Sequence, residues 1–245
     1  MKYLSSITLS FLLACSAPVN AAKTKPAAPC EARNLDFGQA AVGWVHQPLS
    51  KLKRDTVYSL VQEDGHAVLR AVADRSASLY VTLFKPATGV PASIVWRWKT
   101  DALVPDADNR DKKREDAPLR VLVAFDGDKA ALPEEEQKRF QRAKSLTGRE
   151  GPYATLMYIW SDHVPVNTVI PSAHTSQVKM LAVASGSKGL GQWQTVQRNL
   201  AADYKRAFGA APGRVLGVAV MTDTDNTGGK AVGEYADIRF DCSGG

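Results

Sequence analysis

The chain has 245 residues, 44% of them hydrophobic, which is enough to bury one sizeable core. Its formal net charge of +6 comes from basic residues that are spread along the chain and interleaved with acidic ones. A nucleic-acid interface needs Lys and Arg concentrated on one face, so the composition argues against a nucleic-acid-binding protein. The length favours a single domain, because β-sandwiches of this size are often undivided.

The N-terminus predicts export. Lys2 precedes an apolar run from Leu4 to Ala14, which is too short to stay in a bilayer as a spanning helix. Val19-Asn20-Ala21 fits the small-residue cleavage rule and predicts a signal peptide over residues 1–21. The alternative is a lipoprotein site in which Cys15 is acylated and anchors the protein to the outer membrane. Both alternatives place the protein in the periplasm or outside the cell, and no later segment is apolar enough to cross a membrane.

Cys30 and Cys242 remain as an even pair once Cys15 is assigned to the leader or to a lipid. They lie near the two ends of the mature chain, where a sandwich often brings its first and last strands together. We predict a disulfide between them, worth ~3–5 kcal/mol in the chain-entropy model. Two unrelated thiols are the alternative.

The mature chain alternates between strand patterns and turns. Residues 22–34 begin with the low-complexity run AKTKPAAP and are expected to form a flexible tether, so the fold is expected to occupy residues 35–245. Asp64-Gly65 separates two β-rich runs and predicts a type I′ hairpin turn, which requires positive φ at both central residues. The predicted strands are Val57–Glu63, His66–Ala73, Ser78–Phe84, Ser93–Lys99, Leu119–Phe125, Tyr153–Trp160, Val178–Ala184, Trp193–Arg198, Arg214–Met221 and Glu234–Asp241.

Two short helices interrupt the strands. Pro133 opens the first helix, three glutamates fill its first turn and Gly148 ends it. Asn199 caps the second, which runs from Leu200 to Phe208. We therefore predict a mainly β fold, an antiparallel β-sandwich of jelly-roll type with two short helices.

An acidic turn between the last two strands has the most distinctive spacing in the chain. Five residues follow the pattern D-x-D-x-T-G-x5-E, close to that of a calcium-binding loop: Asp223, Asp225, Thr227, Gly228 and Glu234. Strands are predicted to flank the turn where an EF-hand has helices, so the pattern argues against an EF-hand. A hairpin loop that binds Ca²⁺ and a structural turn without an ion both remain open. The candidate metal ligands are Asp223, Asp225, Asn226 and Thr227.

Polar and aromatic side chains predict a ligand-binding face. Arg97 and Lys99 alternate with Trp96 and Trp98 on one strand, and the tryptophans are expected to face the core. Arg120 is expected to join the polar face, and Tyr158 and Trp160 to edge it. The candidate ligand-binding residues are Arg97, Arg120, Tyr158, Trp160 and His174.

Enzyme signatures are sparse. Ser185-Gly186-Ser187-Lys188 matches S-x-x-K without its partner motifs, and phosphate-loop, dinucleotide and H-E-x-x-H motifs are missing. A glycosidase that uses two carboxylates leaves no local spacing, because its acids come from distant strands. Asp101, Asp116 and Asp237 are the acids to test for that chemistry.

Several long motifs resemble a bacterial family. They include Arg120–Asp126, Pro152–Trp160, Ile170–Thr175, Met221–Gly228 and Leu190-Gly-Gln-Trp193, and the resemblance runs from about Phe37 to Phe240. The chain resembles domain of unknown function 3047, which implies an exported, mostly β protein without a known activity. Glu234 lies outside the family pattern. The opening Leu-Asp-Phe and the closing Tyr-Ala-Asp-Ile-Arg-Phe are also similar to galactose-binding-like jelly rolls.

Three functions follow as hypotheses. The first is a non-catalytic, exported binder of a glycan or another cell-envelope ligand, with Ca²⁺ held at the acidic turn as an option. The second is a polysaccharide-active enzyme that uses a carboxylate pair. The third is a structural envelope protein that binds only protein. The sequence does not indicate an oligomeric state.

Overall fold

A computed structural model of the chain describes residues 29–242. The predicted signal peptide, its cleavage site, Cys15 and the tether before Pro29 lie outside the described residues. Among the residues described, no helix is both long enough and apolar enough to cross a membrane.

The described residues form thirteen strands and two α-helices. The strands are β1 (Arg33–Asn34), β2 (Val45–Pro48), β3 (Val57–Glu63), β4 (His66–Asp74), β5 (Ser78–Thr88), β6 (Ser93–Lys99), β7 (Ala117–Phe125), β8 (Ala154–Ser161), β9 (Val169–Pro171), β10 (Val178–Ser185), β11 (Gln194–Asn199), β12 (Val215–Asp223) and β13 (Lys230–Asp241). The helices are α1 (Glu134–Thr147) and α2 (Leu200–Phe208), and two short 3-10 helices cover Ala40–Val42 and Lys129–Ala131.

The strands form two sheets, which confirms the predicted sandwich with two helices. The six-stranded sheet has the order β11-β6-β13-β4-β3, with β1 also paired to β13. The seven-stranded sheet has the order β2-β5-β12-β7-β8-β10-β9. Its pairing is antiparallel except between β8 and β10, which are parallel because the chain crosses over through β9 before β10 begins.

Large aromatic side chains fill the space between the sheets. The alternation of β6 sends Trp96 and Trp98 inward, where both are fully buried. From the opposite sheet, Tyr158 meets Trp96 at 5.1 Å between ring centroids and Trp160 meets Trp98 at 6.2 Å. The prediction that the tryptophans of β6 belong to the core is therefore confirmed.

The structure confirms the predicted hairpin turn and the predicted ends of both helices. Asp64 and Gly65 have φ of 50° and 80°, as a type I′ turn requires. Gly148 ends α1 in the left-handed conformation. The side chain of Asn199 accepts a hydrogen bond from the backbone N–H of Ala202 and so caps α2.

The two ends of the described chain are joined. Cys30 and Cys242 form the predicted disulfide, which fits a protein that resides in an oxidising compartment. Residues 29–34 were expected to belong to a flexible tether, yet Arg33 and Asn34 pair with the end of β13, and Pro29 accepts a hydrogen bond from Gly89. The disulfide and these backbone bonds make residues 29–34 part of the fold.

Candidate ligand-binding site

Trp193 forms an aromatic platform on the outer face of the six-stranded sheet. The residue immediately precedes β11 and is partly exposed. Beneath it, Arg97 and Lys99 point outward from β6, and each cation lies 4.9 Å from the indole centroid. The indole Nε1 donates a 3.0 Å hydrogen bond to Glu63 on β3. Cation–π attraction and this hydrogen bond fix the ring before any ligand arrives.

A β-bulge in β13 places a carboxylate beside this platform. Asp237 and Ile238 together lie opposite a single residue of β6, so β13 has one extra residue at this point. Ile238 is buried in the core, and Asp237 turns outward to accept a 3.0 Å hydrogen bond from Arg97. The φ of Asp237 is 52°, a conformation that non-glycine residues rarely adopt. Such local strain is common at binding sites.

The charges around the platform are paired with one another. Lys99 Nζ lies 2.9 Å from Glu63 and 2.8 Å from Glu234. Hydrogen bonds from Trp193 and then from Lys99 hold the pKa of Glu63 below its usual range. Although partial burial opposes it, hydrogen bonding to Glu234 and Glu63 raises the pKa of Lys99. The face therefore offers many hydrogen-bonding groups that remain charged and are already held in position.

A pocket of about 250 Å³ lies against the platform. Its polar lining comes from Glu63, Asp64, His66 and Arg97, and its floor from Val68 and Ala236. His66 Nδ1 lies 4.0 Å from Asp237. The pocket is smaller than the roughly 300–1,000 Å³ that encloses a drug-sized ligand, so a ligand of that size would extend beyond it.

The predicted binding residues do not share one face. Arg97 belongs to the platform, whereas Arg120 lies on the seven-stranded sheet, on the opposite side of the sandwich. The prediction that Tyr158 and Trp160 edge a binding face is corrected by their burial, because both rings are fully enclosed in the core. Their strand is covered on its other side too, where Ile159 packs under Val164 and Ile170.

Arg120 and Asp223 form a buried ion pair at the acidic turn. Arg120 Nε and Nη2 donate to the two carboxylate oxygens of Asp223 at 2.7 and 3.0 Å, and both residues are 3% exposed. The guanidinium also donates to the Glu115 carbonyl and lies against the sulfurs of Met157 and Met180. Burial raises the pKa of Asp223 to about 6, although the attraction of Arg120 opposes the shift. Arg120 is thus a structural residue whose donors are occupied.

The acidic turn gathers three carboxylates, which belong to Asp116, Asp223 and Asp225 and have oxygens within 4.8 Å of one another. Lys53 pairs with Asp225, so two cations of the chain already face this cluster. Asn226 and Thr227 donate backbone N–H groups to Asp116, and the Thr227 hydroxyl also donates to Asp116 at 2.7 Å. Metal ligation by these residues stays a prediction. Two cations therefore offset only part of the negative charge of the three carboxylates.

Glu234 does not join the acidic turn, which corrects the twelve-position calcium pattern. β12 belongs to the seven-stranded sheet and β13 to the six-stranded sheet, so residues 224–229 cross between sheets and do not form a hairpin loop. Glu234 lies further along β13, where it forms an ion pair with Lys99 beside the platform. A cleft of about 800 Å³ opens beside the turn, and His174 lines it with Nε2 3.4 Å from Glu115.

Residues 42–239 match the family described as protein of unknown function (DUF3047). The chain belongs to this family. A search of curated proteins gave no match. Among solved structures, the chain is similar to the xyloglucanase domain of NopAA, a type three effector from Sinorhizobium fredii in complex with cellobiose, with 10% identity, a TM-score of 0.41, and coverage of 80% of this chain and 91% of that one. It is also similar to a loop swap mutant of Necallimastix patriciarum Xyn11A, with 9% identity, a TM-score of 0.34, and coverage of 85% and 98%.

Two groups of residues in this DUF3047 chain were missed as site residues from sequence alone. Glu63 and Trp193 meet across 130 residues of chain, and Lys53 reaches Asp225 across 172. The available signals were a tryptophan beside a turn and a lysine in a small basic cluster, and neither identifies its partner. Of the acids suggested for glycosidase chemistry, Asp237 lies at the platform and Asp116 at the acidic turn, so these two do not form a pair.

Proposed function

We propose that this DUF3047 protein is an exported, non-catalytic binder of a glycan and that the ligand binds over Trp193. The observation that carries the proposal is the partly exposed indole, held over Arg97 and Lys99 beside a small polar pocket. A sugar ring has an apolar C–H face that matches an aromatic surface, and hydroxyls at its edge that match charged hydrogen-bonding groups. A ring fixed in advance also loses little conformational entropy on binding.

The pairing of charges favours a neutral glycan. Arg97 is bonded to Asp237, and Lys99 is bonded to two glutamates, so neither cation is free to neutralise an anionic sugar. Planar carboxylates and a guanidinium can still exchange hydrogen bonds with hydroxyls. We therefore expect neutral oligosaccharides to bind more tightly than uronic-acid-rich ones. The periplasm is the proposed location, because the disulfide needs an oxidising compartment.

A glycan array followed by titration calorimetry tests the proposal. Trp193→Ala should weaken binding of any array hit by roughly 30-fold, since a central aromatic anchor carries about 2 kcal/mol or more. Trp193→Phe should retain most of the affinity because it keeps a flat apolar surface. Leu83→Ala is the matched control, as Leu83 is exposed on the other sheet. Binding that survives Trp193→Ala unchanged would refute the platform as the site.

A polysaccharide-active enzyme is the second candidate, because Glu63 and Glu234 bracket Lys99 beside the platform. Catalysis by two carboxylates needs one acid with a raised pKa and one ionised carboxylate, and the lowered pKa of Glu63 fits only the ionised role. Assays for new reducing ends on the array hits separate the candidates. Turnover that disappears in Glu63→Gln or Glu234→Gln would establish the enzyme, and binding without turnover supports the binder.

A further inference from the structure

Strand β3 forms an unusually open edge of the six-stranded sheet. Within the described chain, the edge strands β2 and β9 are only four and three residues long and end in proline, and β11 is mostly polar. These are common ways to prevent edge-to-edge pairing. β3 has seven residues, VYSLVQE, without proline, glycine or lysine, and its Val57 and Leu60 side chains are 62% and 51% exposed.

At alternate residues of β3, the backbone N–H and C=O groups point toward the open edge of the sheet. Because Asp64-Gly65 is a two-residue turn, Glu63 and His66 form the hydrogen-bonded pair that closes the hairpin. Tyr58, Leu60 and Gln62 therefore direct their N–H and C=O groups outward. In the described residues β4 is the only strand that pairs with β3, so these groups have no strand to bond.

We propose that β3 pairs antiparallel with β3 of a second copy of the chain, with the two-fold axis at Leu60. This register places Leu60 opposite itself and Tyr58 opposite Gln62, so the outward backbone groups meet as hydrogen-bonded pairs. The exposed Leu60 side chains then cover each other. The pairing extends the six-stranded sheet across both copies.

Charge complementarity favours this occupant and this direction. The segment of residues 51–55 that leads into β3 is basic on balance, because Lys51, Lys53 and Arg54 outnumber Asp55, and the Arg54 side chain is 61% exposed. The far end of β3 is acidic, with Glu63 and Asp64. Antiparallel self-pairing brings the basic end of each copy to the acidic end of the other. Parallel pairing would bring like charges together, at a cost.

The dimer also sets the orientation of the proposed glycan sites. The two-fold axis of an antiparallel pair is perpendicular to the sheet, so both Trp193 platforms face the same way. If the proposed function holds, a polymeric glycan engages both platforms and gains avidity without new contacts. The pairing itself rests only on β3 and stands if no glycan binds.

Sedimentation velocity over a concentration series tests the pairing. The wild-type chain should reach a dimer, whereas Leu60→Lys should sediment as a monomer, because it sets two ammonium groups against each other at the axis. Leu83→Lys, at a similarly exposed position on the other sheet, should remain dimeric. Thermal melting confirms that each variant is folded. A wild-type monomer up to millimolar concentration, or a dimer that persists in Leu60→Lys, overturns the proposal.

Disulfide trapping tests the register. Leu60→Cys places the two sulfurs across a hydrogen-bonded pair whose Cα atoms are about 5.5 Å apart, within the range that a disulfide spans. Mild oxidation should therefore link Leu60→Cys into a covalent dimer. Val57→Cys lies opposite Glu63 of the other copy and should stay unlinked. Efficient linking of Val57→Cys with none for Leu60→Cys would contradict this register.

Discussion

Removing Arg120 should destabilise the protein in a way that reveals its role at the acidic turn. In Arg120→Met the side chain keeps much of its length, but both bonds to Asp223 are lost. Asp223 would then be a buried carboxylate with one remaining hydrogen bond, from the backbone N–H of Ala117. Breaking a buried pair by removing one partner costs ~3–5 kcal/mol, because the other charge is left uncompensated. For a domain of this size, each kcal/mol lowers Tm by about 2–4 °C, so we expect a loss of roughly 6–20 °C.

The loss should depend on pH with a defined sign. In the folded wild type the pKa of Asp223 is raised to about 6, and without Arg120 it should rise further. A raised folded pKa contributes stability below the unfolded value, and this contribution is lost as pH rises through the folded value. Arg120→Met should therefore be less destabilised at pH 5 than at pH 8.

Melting curves of the single and double variants, Arg120→Met and Arg120→Met/Asp223→Asn, measure the effect. The double variant should recover at least about 2 kcal/mol at pH 8, because it removes the orphaned charge as well. Leu122→Met, a neighbour in β7 that carries no charge, is the control. A penalty under about 1 kcal/mol at both pH values, or no recovery in the double variant, would refute the structural role of this pair.

Three further predictions concern charge and covalent linkage. The Tm of the wild type should not respond to millimolar Ca²⁺. The Tm of Lys53→Met should rise with Ca²⁺ and fall again with chelator, since an ion bound only by the folded state stabilises that state. A calcium response in the wild type would favour the ion-binding interpretation. The hydrogen bonds of Glu63 with Trp193 and Lys99 should persist from pH 8 to pH 5 and weaken below the usual Glu pKa of 4.5, because a depressed folded pKa supplies stability that is lost as pH falls through that pKa. Trp193 fluorescence should report this change, and Glu63→Gln should abolish the change. Replacing Cys30 and Cys242 with serine should cost about 5 kcal/mol for a separation of 212 residues, and urea denaturation that shows under about 1 kcal/mol would contradict the loop-closure account.

The strands were predictable where residue pattern alone decides them. β6 alternates between tryptophans and cations, and a period of two fixes which side of a strand each residue takes. β3, β6 and α2 accordingly have the predicted bounds. β5 runs beyond Pro86, where the prediction ended it, because its pairing with β12 is irregular between Leu83 and Thr88 and needs no N–H from the proline.

The binding face was not predictable in the same way, because alternation does not specify which sheet a strand joins. Arg97 and Arg120 both alternate with core residues, yet they lie on opposite outer faces. Tyr158 and Trp160 lie on a strand that is apolar on both sides, so its pattern did not distinguish inward from outward. The platform required the neighbours of β6 to be known, since Glu63 reaches Trp193 only because β3 and β11 lie in the same sheet as β6.

The acidic turn shows why spacing along the chain was a poor guide to its ligands. A calcium loop keeps its ligands together because both flanks stay close, but here the turn leaves one sheet and enters the other. Glu234 is carried to the platform face, while Asp116 arrives from the start of β7, which is the neighbour of β12. Lys53 and Arg120 reach the turn from 172 and 103 residues away and offset part of its negative charge. Sheet order therefore decides which residues meet at the turn, and spacing along the chain does not show it.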